Sequence, residues 1–286
     1  METQVKGVSR EPKGMKLRFA CWNVNNRNPT RRHLEILREA RPDVLALQEV
    51  CPALHDALAA ESVFAWDAFS LKLRPPRDGE GRSRRLGCSL FGTSRFRLCC
   101  CSLVPRLAFP ERTLVATIEA DGGVVTVCSF HTPPGASWGE VKPRTLKAIA
   151  QWLQRQPPPL IFGIDANCPK TDHPDIQCNE WWWDDEPLLL GGTPLHQLQD
   201  VFRVYLANNP NEFARILAAR PNGPLAISHV RGNRRNMTEC RYDFIYATPD
   251  VGVEQVVYVF ADTIRAVSDH AFVIADLVVQ GATLAT

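Results

Sequence analysis

The sequence predicts a mixed α/β protein built on two β-sheets. An early strand–helix–strand pattern fills residues 16 to 50, which calls for parallel neighbours. Beyond it, apolar strands follow one another across short turns such as "DGG" at 121–123, unlike a doubly wound parallel sheet. Several of these apolar runs end abruptly in polar residues, as a strand buried on both faces does when it reaches the edge of a core.

Each element has a local reason. Residues 1–15 are polar and carry Gly7, Pro12 and Gly14, so they read as a disordered N-terminal tail, with one domain over 16–286. "KLRFACWNV" is the first strand. In "PTRRHLEILREA", Leu34, Leu37 and Ala40 stand near helical spacing; Pro29-Thr30 suits the start and Pro42 ends it. "DVLALQEV" is the second strand. Further strands are expected at Leu86–Phe91, Thr113–Glu119, Val124–Phe130, Leu160–Ile164, Tyr242–Ala247, Val253–Phe260 and Ala271–Val279. Helices are expected at Trp138–Gln154 and Gln197–Ala207. Two stretches, 74–85 and 168–194, read as long loops, which in compact domains are often functional or disordered.

Composition narrows the class. With 286 residues, 45% of them hydrophobic and 22% charged, the chain can bury a sizeable core. A net charge of +2 leaves no global basic field, so a polyanion would have to be held by local patches. Ten cysteines without any CxxC pair fit reduced thiols rather than a zinc site or a disulfide framework. The start of the chain lacks the apolar run of a signal peptide, and no stretch reaches the roughly 18 apolar residues of a membrane helix. An intracellular protein is expected.

Polar residues cluster where predicted strands end. Asn23 follows "FACW", Glu49 follows "VLALQ", His131 follows "VVTVCSF", and Asp165 and Asn167 follow "PLIFGI". Asp269 and His270 precede the last strand, and Asp243 stands between two aromatic residues in "CRYDFIY", where a carboxylate needs a partner. Taken singly, each has a plain alternative: a turn cap, a solvated strand end, a satisfied core histidine. Taken together they match the needs of phosphoester hydrolysis. Glu49, helped by Asn23 and Asp269, could hold a hard divalent cation such as magnesium. Neutral donors such as Asn167 and His131 can hold non-bridging oxygens, and Asp243 can stand behind a proton-handling His270.

"CWNVN", "LALQEV", "SFHTPPG", "GIDAN", "RYDFIY" and "SDHAFVIADL" resemble, in order, the motifs of the endonuclease/exonuclease/phosphatase superfamily. That superfamily includes pancreatic-type deoxyribonuclease, abasic-site endonucleases, deadenylases, tyrosyl-DNA phosphodiesterases, sphingomyelinases and inositol polyphosphate 5-phosphatases. The motifs span about residues 17 to 279. The resemblance implies a four-layered αββα sandwich, two packed mixed β-sheets flanked by helices, with its site at one edge. It implies a metal site of Asn23, Glu49 and Asp269 for magnesium, with manganese as the alternative. It implies catalytic roles for His131, Asp165, Asn167, Asp243 and His270: Asp165 and Asn167 position the water and the phosphate, and Asp243 pairs with His270. Asn25 stands where many abasic-site enzymes have an acid, and His131 where they often have Tyr, so a dedicated abasic-site role is not expected.

Substrate choice rests on other features. Eight positive side chains lie between Lys72 and Arg97, among them Arg82, Arg84 and Arg85, and a second run, Arg231, Arg234, Arg235 and Arg241, leads into the Asp243 strand. Either could hold a nucleic-acid backbone. Trp181, Trp182 and Trp183 cannot all face one side of a strand; they can anchor the loop, stack on bases or clamp a lipid-like group. The acids that follow them, Asp184, Asp185 and Glu186, would repel phosphate. The expected activity is a magnesium-dependent nuclease acting on DNA or RNA. The alternatives are hydrolysis of a small or lipid phosphoester, and a catalytically silent nucleic-acid-binding relative.

Overall fold

The computed structural model describes residues 14–120, 123–233 and 236–280. Among these, two six-stranded mixed sheets pack face to face. The first has the order β13-β14-β1-β2-β4-β3, with β1 Met15–Asn23, β2 Val44–Val50, β3 Trp66–Phe69, β4 Gly87–Gly92, β13 Val251–Val259 and β14 Phe272–Val279. The second has the order β5-β6-β7-β8-β12-β9, with β5 Arg97–Ser102, β6 Thr113–Ala120, β7 Gly123–His131, β8 Leu160–Asp165, β9 Gln199–Asp200 and β12 Asp243–Ala247. A separate hairpin joins β10 His229–Asn233 to β11 Asn236–Cys240. Among the described residues only β1–β2 and β7–β8 are parallel pairs.

The apolar pattern explains the four layers. In β1, Leu17, Phe19 and Cys21 point between the sheets, where they meet Val127 of β7, Ile161 of β8 and Ile245 of β12. The alternate residues Ala20 and Trp22 point outward, onto Ile36 and Leu37 of the helix Arg31–Ala40 and Leu54 and Leu58 of the helix Pro52–Ala59. On the far side, Phe130, Phe162, Phe244 and Tyr246 meet Leu146, Ile149 and Leu153 of the helix Val141–Leu153. Strands apolar on both faces therefore sit in the middle and helices cover both outsides, the αββα sandwich the motifs implied. Each such buried side chain contributes about 1.5–3 kcal/mol. The sheets approach closely where β8 crosses β1: a Cβ on Gly163 would stand 2.7 Å from Cys21 Sγ, so only glycine fits there.

Several expected boundaries shift. Of the expected tail, residues 1–13 lie outside the described residues, and Met15 already begins β1. The "DGG" turn lies partly outside them, at 121–122. The helix expected from Trp138 starts at Val141, because Gly139 takes φ +48° and separates it from the turn Gly135–Trp138. The helix expected from Gln197 starts at Val201, where the Asp200 carboxylate accepts the Phe202 N–H at 3.0 Å and caps it. The sequence reading passed over β3, β5, the β10–β11 hairpin and the helices Pro52–Ala59 and Pro210–Ala219. These are short or polar: the last buries only Ile216. Among the described residues no helix is long and apolar enough to cross a membrane.

Candidate active site

Topology gathers the polar strand ends. The parallel strands β1 and β2 deliver Asn23 and Glu49 at their C-terminal ends, and the parallel β7 and β8 deliver His131 and Asp165 at theirs. β12 and β14 run antiparallel to β8 and β1, so their starts reach the same edge and bring Asp243 and His270. His131, Asp165 and Asp243 are register partners across three adjacent strands. His131, Asp165 and Asp243 therefore form a row across the second sheet, faced by Asn23, Glu49 and His270 from the ends of the first.

The part of the site centred on Asp165 is buried and tightly bonded. Asp165 Oδ2 accepts from Asn23 Nδ2 at 2.7 Å and from Asn167 Nδ2 at 3.2 Å, and Oδ1 accepts the Asn167 N–H at 3.0 Å. Asn167 adopts φ +51°, which turns its side chain back onto Asp165. His270 Nδ1 lies 2.9 Å from Asp243 Oδ2, and its Nε2 is 3.9 Å from Asp165 Oδ2. Burial opposes the imidazolium, but the charges of Asp243 and Asp165 outweigh it and push His270 up to about 10. Burial raises Asp165 to about 7, with Asp243 adding to the shift and His270 opposing it. Asp243 Oδ1 is buried without a hydrogen-bond partner. His131 is held well below its ordinary value by burial first, then by the charges of Arg112 and His270, so it stays neutral.

The first-sheet half is more open. Glu49 sits at φ +54°, next to an irregularity in the β2–β4 pairing, which swings its side chain towards the edge. Its Oε1 lies 3.3 Å from His131 Nε2. Burial pushes its carboxyl up, and Asp269 adds to that shift. Asp269 itself is exposed, and it, His229 and His270 each offer a ligand atom within 4.8 Å of the others. Glu49, Asn23 and Asp269 supply hard oxygen donors, two of them anionic and electrostatically opposed. That donor set fits a hard divalent cation. Asp165, Asp243 and His270 also gather within 4.8 Å, but the Asp243–His270 hydrogen bond makes that trio a proton-holding group.

One expected residue is corrected. Arg241 does not face substrate. Its guanidinium is buried, with both terminal nitrogens on Asp200 at 2.8 and 2.7 Å and Nε on Tyr258 Oη at 2.8 Å. It is enclosed by Phe202, Phe244 and Tyr258. Arg84 is turned inward onto the buried Glu111 at 3.0 Å, whereas Arg82 and Arg85 are exposed. Arg234 and Arg235 lie outside the described residues. Of the acids after the tryptophans, Glu186 pairs with Lys142 at 2.9 Å and Asp185 with Lys147 at 3.2 Å, so only Asp184 remains as an exposed charge.

Sequence reasoning missed several supports. Arg112 is buried, with Nη1 3.2 Å from His131 Nδ1 and Nε unpartnered. Its place just before an apolar strand, as Asp165 ends one, was the available signal. Ser228 Oγ accepts the N–H groups of Tyr242 and Asp243, at 2.8 and 3.1 Å. Ser268 Oγ donates to Asn23 O at 2.6 Å and accepts the His270 N–H at 3.0 Å, tying β1 to the start of β14.

Residues 20–270 match the family model described as Endonuclease/Exonuclease/phosphatase family. By sequence, no curated protein matches. By structure, the chain is similar to TDP2 of D. rerio complexed with single-strand DNA product: 18% identity, 92% of this chain and 98% of that chain covered, TM-score 0.66. It is similar to the human nocturnin catalytic domain with bound sulfate anion, at 16% identity, 92% and 94% coverage and TM-score 0.61. It is also similar to ANGEL2, named as a 2′,3′-cyclic phosphatase, at 14% identity, 97% and 100% coverage and TM-score 0.59. At these identities the likeness establishes the fold.

Proposed function

The chain belongs to the endonuclease/exonuclease/phosphatase family, and on that premise we propose that it is a divalent-metal-dependent hydrolase that cleaves phosphodiester bonds of DNA or RNA. The observation that carries this reading is the Asp243–His270–Asp165 group, buried and hydrogen-bonded, opening onto Asn23, Glu49 and Asp269 at one sheet edge. The likeness to TDP2 in complex with single-strand DNA product supports nucleic acid as the substrate class.

Asp165 takes the proton of the attacking water. Its value of about 7 suits a base near neutrality, and Asn167 keeps both carboxylate oxygens aimed. The new P–O bond forms from the water oxygen, the P–O bond to the leaving group breaks on the opposite side, and the leaving oxygen is protonated from solvent. His270, kept as imidazolium by Asp243, and neutral His131 present N–H groups to the non-bridging oxygens as charge builds there. A cation held by Glu49, Asn23 and Asp269 would supply positive charge against the phosphate and the leaving oxygen.

The test is hydrolysis of single-stranded DNA, duplex DNA, RNA, an abasic duplex and inositol phosphates, each with magnesium and with chelator, by the wild type and Glu49→Ala. Nucleic-acid cleavage that chelator stops is expected, with the magnesium needed for half-maximal rate raised at least about tenfold in Glu49→Ala. Chelator-insensitive cleavage, or turnover of inositol phosphates alone, contradicts the reading.

A further inference from the structure

A cavity of about 410 Å³ adjoins the site and has no part in the chemistry above. Asn167 lines one side of it, with Pro134, Gly135 and Lys142, and Trp182, Trp183, Arg231 and Tyr242 line the rest. Its size lies within the roughly 300–1,000 Å³ usual for small-molecule sites, and three aromatic rings, Trp182, Trp183 and Tyr242, stand in its wall. It joins the site through neighbouring rings: His229 lies tilted 4.6 Å from His270 and stacked 5.6 Å from Tyr242. A group attached to a phosphate held at His270, beside Asn167, therefore has this cavity next to it.

The three consecutive tryptophans divide their labour here. Trp181 packs against the helix-covered core of the second sheet and anchors the loop. Trp182 is 44% exposed, an unusual position for the largest apolar side chain, and Trp183 is half-buried on the cavity wall. The Arg231 guanidinium lies 5.0 Å from the Trp182 ring and Lys170 Nζ 5.7 Å from it. Both cations lie over the indole, so a base that stacks there takes the place of one of them and keeps the other within reach of its phosphate. An acyl chain would not use those cations, and a bare phosphate would not use the indoles. A planar ring carrying a phosphate uses both.

We propose that Trp182, Trp183, Tyr242 and Arg231 form a subsite for one unpaired nucleobase next to the scissile phosphate, so that the substrate is single-stranded nucleic acid. A base inside a duplex is stacked on both faces and cannot enter a cavity walled by indoles without leaving its helix. The proposal takes its phosphate chemistry from the function proposed above, but the taste of the cavity for a base is measurable without turnover.

Two measurements separate the claims. Wild type, Trp182→Ala and Trp182→Phe are assayed on single-stranded oligonucleotides that differ only by one abasic residue moved along the chain. The expected result is a wild-type preference of roughly tenfold for a base at one position beside the cleaved bond, the usual size for one stacked base. Trp182→Ala loses that preference and leaves abasic cleavage unchanged; Trp182→Phe keeps most of it. Equal losses on both substrates, or no loss on either, overturn the subsite. Calorimetric binding of adenosine 5′-monophosphate and ribose 5-phosphate stands apart from hydrolysis. Wild type should bind the nucleotide at least roughly tenfold more tightly, and Trp182→Ala should bind both alike. That result with no oligonucleotide cleavage sinks the nuclease reading and keeps the base subsite; equal wild-type affinities sink the subsite.

Discussion

Two buried charge clusters lie side by side around the start of β12, and they differ in whether their polar atoms are used up. In the first, Arg241 spends all its guanidinium nitrogens on Asp200, Tyr258 and, at 3.4 Å, Asp172, under a cover of Phe202 and Phe244. In the second, His270 is held by Asp243, faces Asp165 across 3.9 Å, and keeps an Asp243 oxygen without a partner. Tyr258 touches both, accepting from Arg241 and donating to Asp243 O at 2.8 Å. A buried charge with every atom satisfied holds the fold. A buried charge with capacity left over, at the edge of the sheets, is available for chemistry.

That contrast can be broken by mutation. Arg241→Ala takes the fully buried cation from Asp172 and Asp200 and leaves them only Arg203, and about 3–5 kcal/mol of stability should go with it in urea denaturation. Turnover per folded molecule should change only a fewfold. A loss of under about 1 kcal/mol would put the Arg241 cluster in the same class as a surface ion pair.

A smaller effect sharpens the contrast through pH. His270 is raised in the folded chain to about 10 from an unfolded value of about 6.5. A raised value means stability fully present below 6.5 that is lost as pH climbs through 10. Asp165, raised to about 7, acts in the same direction but is spent by neutrality. The melting temperature in chelator should therefore fall by several degrees between pH 7 and pH 10. Asp243→Asn, which removes the charge that most raises His270, should flatten that slope. Equal slopes in the two proteins would disprove the coupling.

Much of this was legible in the sequence, and the parts that were not share a physical cause. Strand cores such as Phe19 to Trp22 and Ile161 to Ile164 declare themselves because both faces are apolar, and the residues that stop them, Asn23 and Asp165, declare the edge. The parallel and antiparallel pairings then bring those ends together without further information. Arg241 stands two residues from Asp243 in the same motif, yet its side chain turns to Asp200 while that of Asp243 turns to His270. Strand alternation places the two on one face; only the tertiary partners, 41 and 27 residues away, tell them apart. Arg112 was hidden for a similar reason: a charged residue beside a strand reads as solvated until His131 is seen to cover it. The edge strands β3 and β5 and the helix Pro210–Ala219 bury too little to leave a pattern.

The central claim is that the His270 cluster performs phosphodiester hydrolysis, and the rate of cleavage of a single-stranded oligonucleotide by His270→Ala tests it most directly. With magnesium saturating and the melting temperature close to that of the wild type, kcat should fall by about 10²–10³-fold, the usual cost of losing one donor to the charge that builds in the transition state. A folded His270→Ala protein that cleaves at the wild-type rate would contradict the account.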